Sequence, residues 1–512
     1  MEHGVPACAS RYPRDRGSLI PAVPVDASDD QRWWPTPDGT ARISEVDDGR
    51  AEDDPRTAFV RDRDRLLYTD EFERLRGVTQ VVSPTEGILC HDRHSHSLRV
   101  EQLAMRMAQN GQLLASRPLD APRGKPEIWV VAAAALAHDL GHPPFGHVAE
   151  EELNHLLRQP VIGDPDGFEG NAQSFRILTR LAAHRREGLG LRLTRRVLRA
   201  TLKYPWLSSA MPAEYESHRK YGAYLDDRRA FAFAVGGSAG STRAPRSLEA
   251  AIMDAADAIT YSVHDLLDFF RAGLIDLGRL QTFTPGERDE IARAKAPTRD
   301  QRDGLTAIMP LFAGFQRYED SLAGRADVQQ LTSRLITTLV GRHRLHWNAP
   351  EGWTVAPDPQ ADYAMDFLQG LTRRFVIDSD TLAVTQVGHR RVVRRLFKLY
   401  IRSLVEREDR VFPAQFRGDA EQLGREIKAA PPEVVPNPEP ASVEGTSVST
   451  DVSGIRVRSD DPILRVPKAL RMRAARLAAD VVASLTDRQA LSLNLRVSGL
   501  LPQDGFAGQR DA

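Results

Sequence analysis

Residues 127–153 read EIWVVAAAALAHDLGHPPFGHVAEEEL. The first part, 127–140, is an apolar helix by composition, stopped by Gly141 and then by Pro143 and Pro144. His138 and Asp139 stand at the end of that helix, which is otherwise built from Ala, Val, Leu and Trp. A charged Asp there must be paired or bound to a metal, because an unpaired buried carboxylate is costly. His142 and His147 follow, and Glu150 lies one helical turn past His147. Neutral imidazoles and carboxylates are ligands for a divalent transition metal, and a free His nearby is a candidate acid or base. A lone His-Asp pair carries little weight; the cluster carries much more.

Helical spacing continues on both sides. Across 95–110, His96, Val100, Leu103 and Met107 share one apolar face. Segments 170–183 and 193–202 keep the pattern. The longest clear helix is expected at 247–271 (SLEAAIMDAADAITYSVHDLLDFFR), with Ser247 as its N-cap and Gly273 beyond its end. Further helices are expected near 328–341, 361–375, 388–406 and 468–496. Strand signals are few, at 78–82 and 231–235. The fold class is therefore all-α or nearly so.

Within the long helix, Asp257, Tyr261 and Asp265 recur every four residues and share a face, drifting by about 40° per step. Ile252, Ile259, Val263 and Leu266 supply apolar faces around them, so carboxylates in this helix ask for a cation. His96 taken alone reads as a core histidine. Taken together, His96, His138, Asp139 and Asp257 offer two imidazoles and two carboxylates from three separated helices. That is a donor set for one metal ion with positions left open for water and an anionic substrate. The set works only if these four residues converge in space.

The chain has 512 residues with 69 Lys+Arg against 70 Asp+Glu, a net charge of −1. Such a balance gives no basic field for non-specific nucleic-acid binding, although it leaves room for a local patch. Cys8 and Cys90 cannot form a disulfide framework, so a reducing compartment is expected. No apolar run reaches the ~18 residues of a membrane span, and the start lacks an uninterrupted apolar core of signal-peptide type. The expectation is a cytoplasmic protein without membrane attachment. Residues 1–55 are rich in Pro, Asp, Gly and Ser and read as a disordered extension, with Trp33 and Trp34 as candidate anchors. Residues 429–461 read as a low-complexity insertion. The Arg-rich segments RRVVRR (390–395) and RMRAAR (471–476) read as solvated faces or subunit contacts.

The order H…HD…D resembles the HD phosphohydrolase superfamily, and the intervening strings resemble its bacterial dGTPase-like branch. They include DRDRLLYTDEFERLRGVTQV (62–81), RHSHSLRVEQLA (93–104), LAHDLGHPPFGHVAEEELN (136–154) and GFEGNAQSFRILTRL (167–181). TLKYPW (201–206) and DAADAITYSVHDLLDFFRAGL (254–274) extend the likeness, which is strong over roughly 60–275 and looser beyond. The resemblance implies an HD-domain helical core at 56–300, a C-terminal helical region at 301–428, closing helices at 462–502 and a tail at 503–512.

By the same resemblance His96, His138, Asp139 and Asp257 hold one divalent metal ion, Mg²⁺ or Mn²⁺ first, with Fe, Co or Ni as alternatives. His147 is the catalytic histidine, oriented by Glu150. His142 contacts phosphate, Arg93 neutralises the phosphate tail, and Asn171, Gln173 and Lys203 border the phosphates. Gln80 reads the sugar hydroxyl, Tyr261 packs on the deoxyribose and excludes a 2′-hydroxyl, and Asp265 contacts phosphate or water. The implied reaction is hydrolysis of a deoxynucleoside triphosphate (dGTP or another dNTP) to deoxynucleoside and inorganic triphosphate. A homo-oligomer and an activator nucleotide are implied as well. Relatives often carry two consecutive aspartates where this chain has Asp257–Ala258, so base preference and activator dependence stay open. The alternatives are a nucleotidase or phosphodiesterase on another phosphate ester, and a non-catalytic dNTP sensor.

Overall fold

The computed structural model describes residues 41–42, 54–80, 92–184, 190–237, 240–315, 317–406, 408–433 and 462–500. Trp33, Trp34, both cysteines and nearly all of the expected N-terminal extension and 429–461 insertion lie outside the described residues. The described fold is all-α apart from one antiparallel hairpin, His343–Asn348 with Gly352–Pro357. In that hairpin Trp347 pairs with Trp353.

The helix Leu248–Arg271 is the axis of the structure. Ser247 caps it by accepting from the Ala250 N–H at 3.1 Å, and Gly273 ends it at φ 73°, a left-handed conformation suited to glycine. Around it pack Arg93–Ala108, Ile128–Ala137, Leu322–Val340 and Pro359–Thr372. Ile128–Ala137 is enclosed on every side from Val130 onward, Val130 through Ala137 being fully buried, while Trp129 in its first turn is exposed. An all-round apolar sequence is what such a position requires.

A second core joins the helix His147–Arg158 to the C-terminal helices Asp380–Glu406, Ala414–Ala429 and Lys468–Ala483. Arg390 and Arg394 pair there with Glu151 and Glu152, at 2.8 Å each. The loop that follows the HD pair thus rests on two bodies of apolar packing at once.

Three expectations need correction. Residues 231–235 (FAFAV) are not a strand but the end of the helix Arg228–Val235. Every one of those side chains is buried, so the alternation of Phe and Ala reflects all-round enclosure rather than a sheet's two faces. The segment 468–496 is two helices, Lys468–Ala483 and Asp487–Val497, separated by a Thr486/Gln489 capping box. RMRAAR is solvated only in part: Arg473 is exposed, but Arg471 and Arg476 are buried, Arg476 with Nη2 2.7 Å from both Asp164 Oδ2 and the Gly167 carbonyl.

Candidate metal centre and its cavity

His96 comes from the first turn of Arg93–Ala108, whose N-cap Asp92 accepts from Ser95 N–H at 2.7 Å. His138 ends the buried Ile128–Ala137 helix, Asp139 begins the turn after it, and Asp257 lies mid-way along Leu248–Arg271. His138 Nδ1 is 2.7 Å from the Ala135 carbonyl and donates to it, which leaves a lone pair on Nε2. That Nε2 is buried with no hydrogen-bond partner, 3.5 Å from Asp139 Oδ1 and 3.6 Å from Asp257 Oδ1. His96 Nε2 lies 3.1 Å from the same Asp257 oxygen. A buried lone pair facing two carboxylate oxygens lacks a positive charge between them, and a divalent cation with N and O ligands fits that need.

Cations already surround the group. Arg93 Nη1 is 2.7 Å from Asp139 Oδ2, and Lys203 Nζ is 3.3 Å from Asp257 Oδ2 and 2.7 Å from Asp254 Oδ1. Burial pushes the Asp257 carboxyl up, but Lys203 and the two histidines outweigh it and hold it far below the usual carboxylate range. Asp139 behaves alike, with burial opposed by Arg93, His138 and His142. His142 Nδ1 stands 3.0 Å from Asp139 Oδ1, off the line of a good hydrogen bond. Burial and the Arg93 charge lower its imidazole to about 4.

A second imidazole–carboxylate pair sits across the loop. His147 Nδ1 lies 2.8 Å from Glu150 Oε2, and the His147 side chain is 68% exposed. Glu150 also receives Lys220 Nζ at 3.1 Å and the Gly170 N–H at 3.2 Å. Burial raises its carboxyl, but the His147 bond and the Lys220 charge hold it well below the usual range.

The loop between the two groups is tightly held. Gly141 allows the backbone to touch the helix Gly170–Arg176; a Cβ there would sit 2.2 Å from the Gly170 carbonyl and the Ser174 nitrogen. Phe145 is at φ 66°, a costly conformation for a side-chain-bearing residue. Its N–H donates to Asp487 Oδ1 at 2.8 Å, and its ring stacks on His389 at 4.0 Å. Asp487 Oδ2 also takes the Thr79 N–H at 3.1 Å. Arg74 donates to the Leu140 and His142 carbonyls at 2.7 and 2.9 Å.

Most of the site residues expected from sequence open onto one cavity of about 420 Å³: Gln80, Arg93, His138, Asp139, His142, His147, Asn171, Lys203, Asp257 and Tyr261. His96 lies behind its wall, and Glu150 supports it from beneath His147. Gln173 does not reach the cavity: its amide donates to Asp480 Oδ1 at 2.9 Å, because its face of the helix is turned to the interior. Asp265 is buried below Tyr261's level of the helix and is not among the lining residues; burial and Asp268 raise its carboxyl well above the ordinary value. Tyr261 is pushed up to about 12 by burial and by Asp265.

Sequence reasoning missed several residues. Lys220 lines the cavity and bridges Glu150 and Glu169 at 3.1 Å each. Its one available signal was the Lys-Tyr pair it shares with Lys203–Tyr204. Gln369, Ile377, Leu382 and Gln386 also line the cavity, from helices too far along the chain to attract notice.

A buried imidazole–carboxylate cluster beside a cavity lined by Arg93, Lys203 and Lys220, on a helical scaffold, fits the metal-dependent phosphohydrolases of the HD class. The HD domain family model matches residues 93–262. A deoxyguanosinetriphosphate triphosphohydrolase-like protein of Streptomyces coelicolor is 32% identical over 94% of this chain and 98% of its own length. Proteins of the same description from Corynebacterium efficiens and Vibrio parahaemolyticus are 35% and 27% identical over 57% and 68% of this chain, and over 65% and 82% of their own lengths. The chain belongs to the deoxyguanosinetriphosphate triphosphohydrolase-like family. Among the described residues no helix is long and apolar enough to cross a membrane.

Proposed function

We propose that this protein hydrolyses deoxynucleoside triphosphates to deoxynucleoside and inorganic triphosphate. The observation that carries the reading is the mixed lining of the cavity. Arg93, Lys203 and Lys220 line it together with the candidate metal ligands His138, Asp139 and Asp257, and Tyr261, Ile377, Leu382, Gln369 and Gln386 line it as uncharged groups. A polyphosphate suits the first group and a nucleoside the second.

His96, His138, Asp139 and Asp257 would hold the divalent ion, Mg²⁺ or Mn²⁺ by family likeness. When bound, such an ion supplies Lewis-acid polarisation of a phosphoryl oxygen and acidifies water. The side chains do the rest. Arg93, Lys203 and Lys220 counter the charge of the phosphate chain, where positioning and electrostatics dominate the barrier. With Nδ1–H held by Glu150, His147 as the imidazolium would give its Nε2 proton to the departing 5′ oxygen as a water oxygen bonds to the α-phosphorus, sheds its proton to solvent, and the bond from phosphorus to the 5′ oxygen breaks. Glu150, itself held by Lys220 and the Gly170 N–H, fixes the ring. Tyr261 lines the same cavity, and by family likeness it would exclude a 2′-hydroxyl. Family likeness also supports a homo-oligomer and an activator nucleotide; sedimentation with and without dNTPs tests both.

The deciding experiment is product-resolved chromatography of the four dNTPs with Mg²⁺ or Mn²⁺. Deoxynucleoside plus triphosphate is expected. Monophosphate plus pyrophosphate would mean a different bond is cut, and tight binding without any product would mean a sensor.

A further inference from the structure

The uncharged part of the cavity contains one amide whose polarity is fixed by its neighbours. Gln369 lies on Pro359–Thr372, a helix packed against Leu248–Arg271. Its partner is Ser262, which follows Tyr261 and is 2% exposed. The Ser262 hydroxyl donates to the Ala258 carbonyl at 2.7 Å. A hydroxyl has one proton, so toward Gln369 the Ser262 oxygen accepts. The amide therefore turns Nε2 to Ser262, at 2.8 Å. Gln369 Oε1 makes no hydrogen bond among the described residues, and the side chain lines the cavity that Ala258 and Tyr261 also line.

Building on the hydrolase reading above, we infer that Gln369 is a locked hydrogen-bond acceptor that reads an N–H donor on the base of the bound nucleotide. An acceptor oxygen repels phosphate, so its partner is on the nucleoside. A second cavity residue, Gln80, has an Oε1 that is buried without a partner and is the acceptor left for the sugar hydroxyl. Ile377 and Leu382 supply apolar surface for a ring. Apart from Asp139 and Asp257 no carboxylate lines the cavity, so nothing among the described residues grips the two adjacent N–H groups of guanine as a carboxylate would. One fixed acceptor is met by adenine, cytosine, guanine or thymine, since each carries at least one N–H. A base without a donor leaves that acceptor unpaired.

The test compares dATP with purine 2′-deoxyriboside 5′-triphosphate, which has neither an amino group nor a ring N–H. Binding is measured by calorimetry with Ca²⁺, and turnover with Mg²⁺ or Mn²⁺. The donor-free analogue should bind the wild type about tenfold more weakly than dATP, the scale of one buried hydrogen bond left unmade. Gln369→Leu should bring the ratio close to one without changing metal content, and Ser262→Ala, which frees the amide to invert, should shrink it. The deficit of 2′,3′-dideoxy-ATP should persist in Gln369→Leu. Equal binding of dATP and the analogue by the wild type, an unchanged ratio in Gln369→Leu, or loss of only the dideoxy deficit would overturn the assignment. The expected ratios without triphosphate release would leave base reading standing and remove the hydrolase reading. Failure of every nucleotide to bind would remove both.

Discussion

Two groups of histidine and carboxylate border one cavity, and each has ligand atoms close enough to share a metal ion: His96, His138 and Asp139 in one, His142, His147 and Glu150 in the other. Their residue types are nearly the same; their hydrogen bonding is not. In the first, the His138 proton is spent on a backbone carbonyl, so its lone pair confronts carboxylates across a buried gap. In the second, His147 Nδ1 meets Glu150 directly, and Lys220 and a backbone N–H occupy the carboxylate's other oxygen. The first turns a buried, unpartnered imidazole nitrogen toward carboxylate oxygens. In the second, the His147–Glu150 pair is bonded and its imidazole is exposed, while His142 Nδ1 is buried without a hydrogen-bond partner. Donor identity therefore does not settle whether a cluster is a metal site or an acid; the direction of the protons does.

The sharpest way to break this comparison is to remove a donor from each group. Asp257→Ala should abolish bound divalent ion, read by elemental analysis of the dialysed protein, and cut turnover by about 10³-fold or more, since Lewis-acid stabilisation is worth several kcal/mol. Full metal occupancy in that variant would exclude Asp257 as a ligand. His147→Ala should keep both the ion and nucleotide binding while losing about 10²–10⁴-fold in turnover, the usual range for one acid–base group. If His147→Ala instead released a second ion from a wild type holding two, the contrast between the groups would fail.

A smaller effect is expected from the clamp that holds the intervening loop. Asp487 takes N–H groups from both Phe145 and Thr79, as well as the Thr79 hydroxyl. Asp487→Ala would leave two backbone donors unpaired in a buried setting and should cost about 1–3 kcal/mol in unfolding free energy. Metal content should be retained, because none of the candidate ligands touches Asp487. A variant with unchanged stability would show that the strained Phe145 backbone is held by other contacts, such as its stack on His389.

Much of the helical frame was legible because hydrophobic spacing, a Ser N-cap and a Gly stop agree with one another at 247–271. The convergence of the candidate ligands was legible only through family-specific strings. His96 sits on an apolar face like any core histidine, and no spacing rule joins residue 96 to residue 257. Lys220 escaped because its two carboxylate partners are 70 and 51 residues away and its only local signal is a Lys-Tyr pair. Gln173 was misplaced for the opposite reason: it shares the FEGNAQ string with Asn171, but two positions further along a helix face a different side, and there it meets Asp480. The break at 484–486 was readable, since Thr486 and Gln489 have the spacing of a capping box.

The mildest expected effect separates the two groups by pH from outside both. His389 stacks on Phe145, and burial lowers its imidazole below the ordinary histidine value, with Asp487 opposing the shift. In the unfolded chain it titrates near the ordinary 6.5. As pH falls through that value the unfolded state takes up the proton first, so this residue withdraws stability below about 6.5 and withdraws none above it. His389→Phe keeps a ring against Phe145 and cannot be protonated. Unfolding followed between pH 5 and 8 should therefore show a slightly shallower acid-side loss in the variant, with no change at pH 8. An identical slope would mean that the Phe145–His389 stack contributes nothing to the acid sensitivity of the loop joining the metal donors to His147.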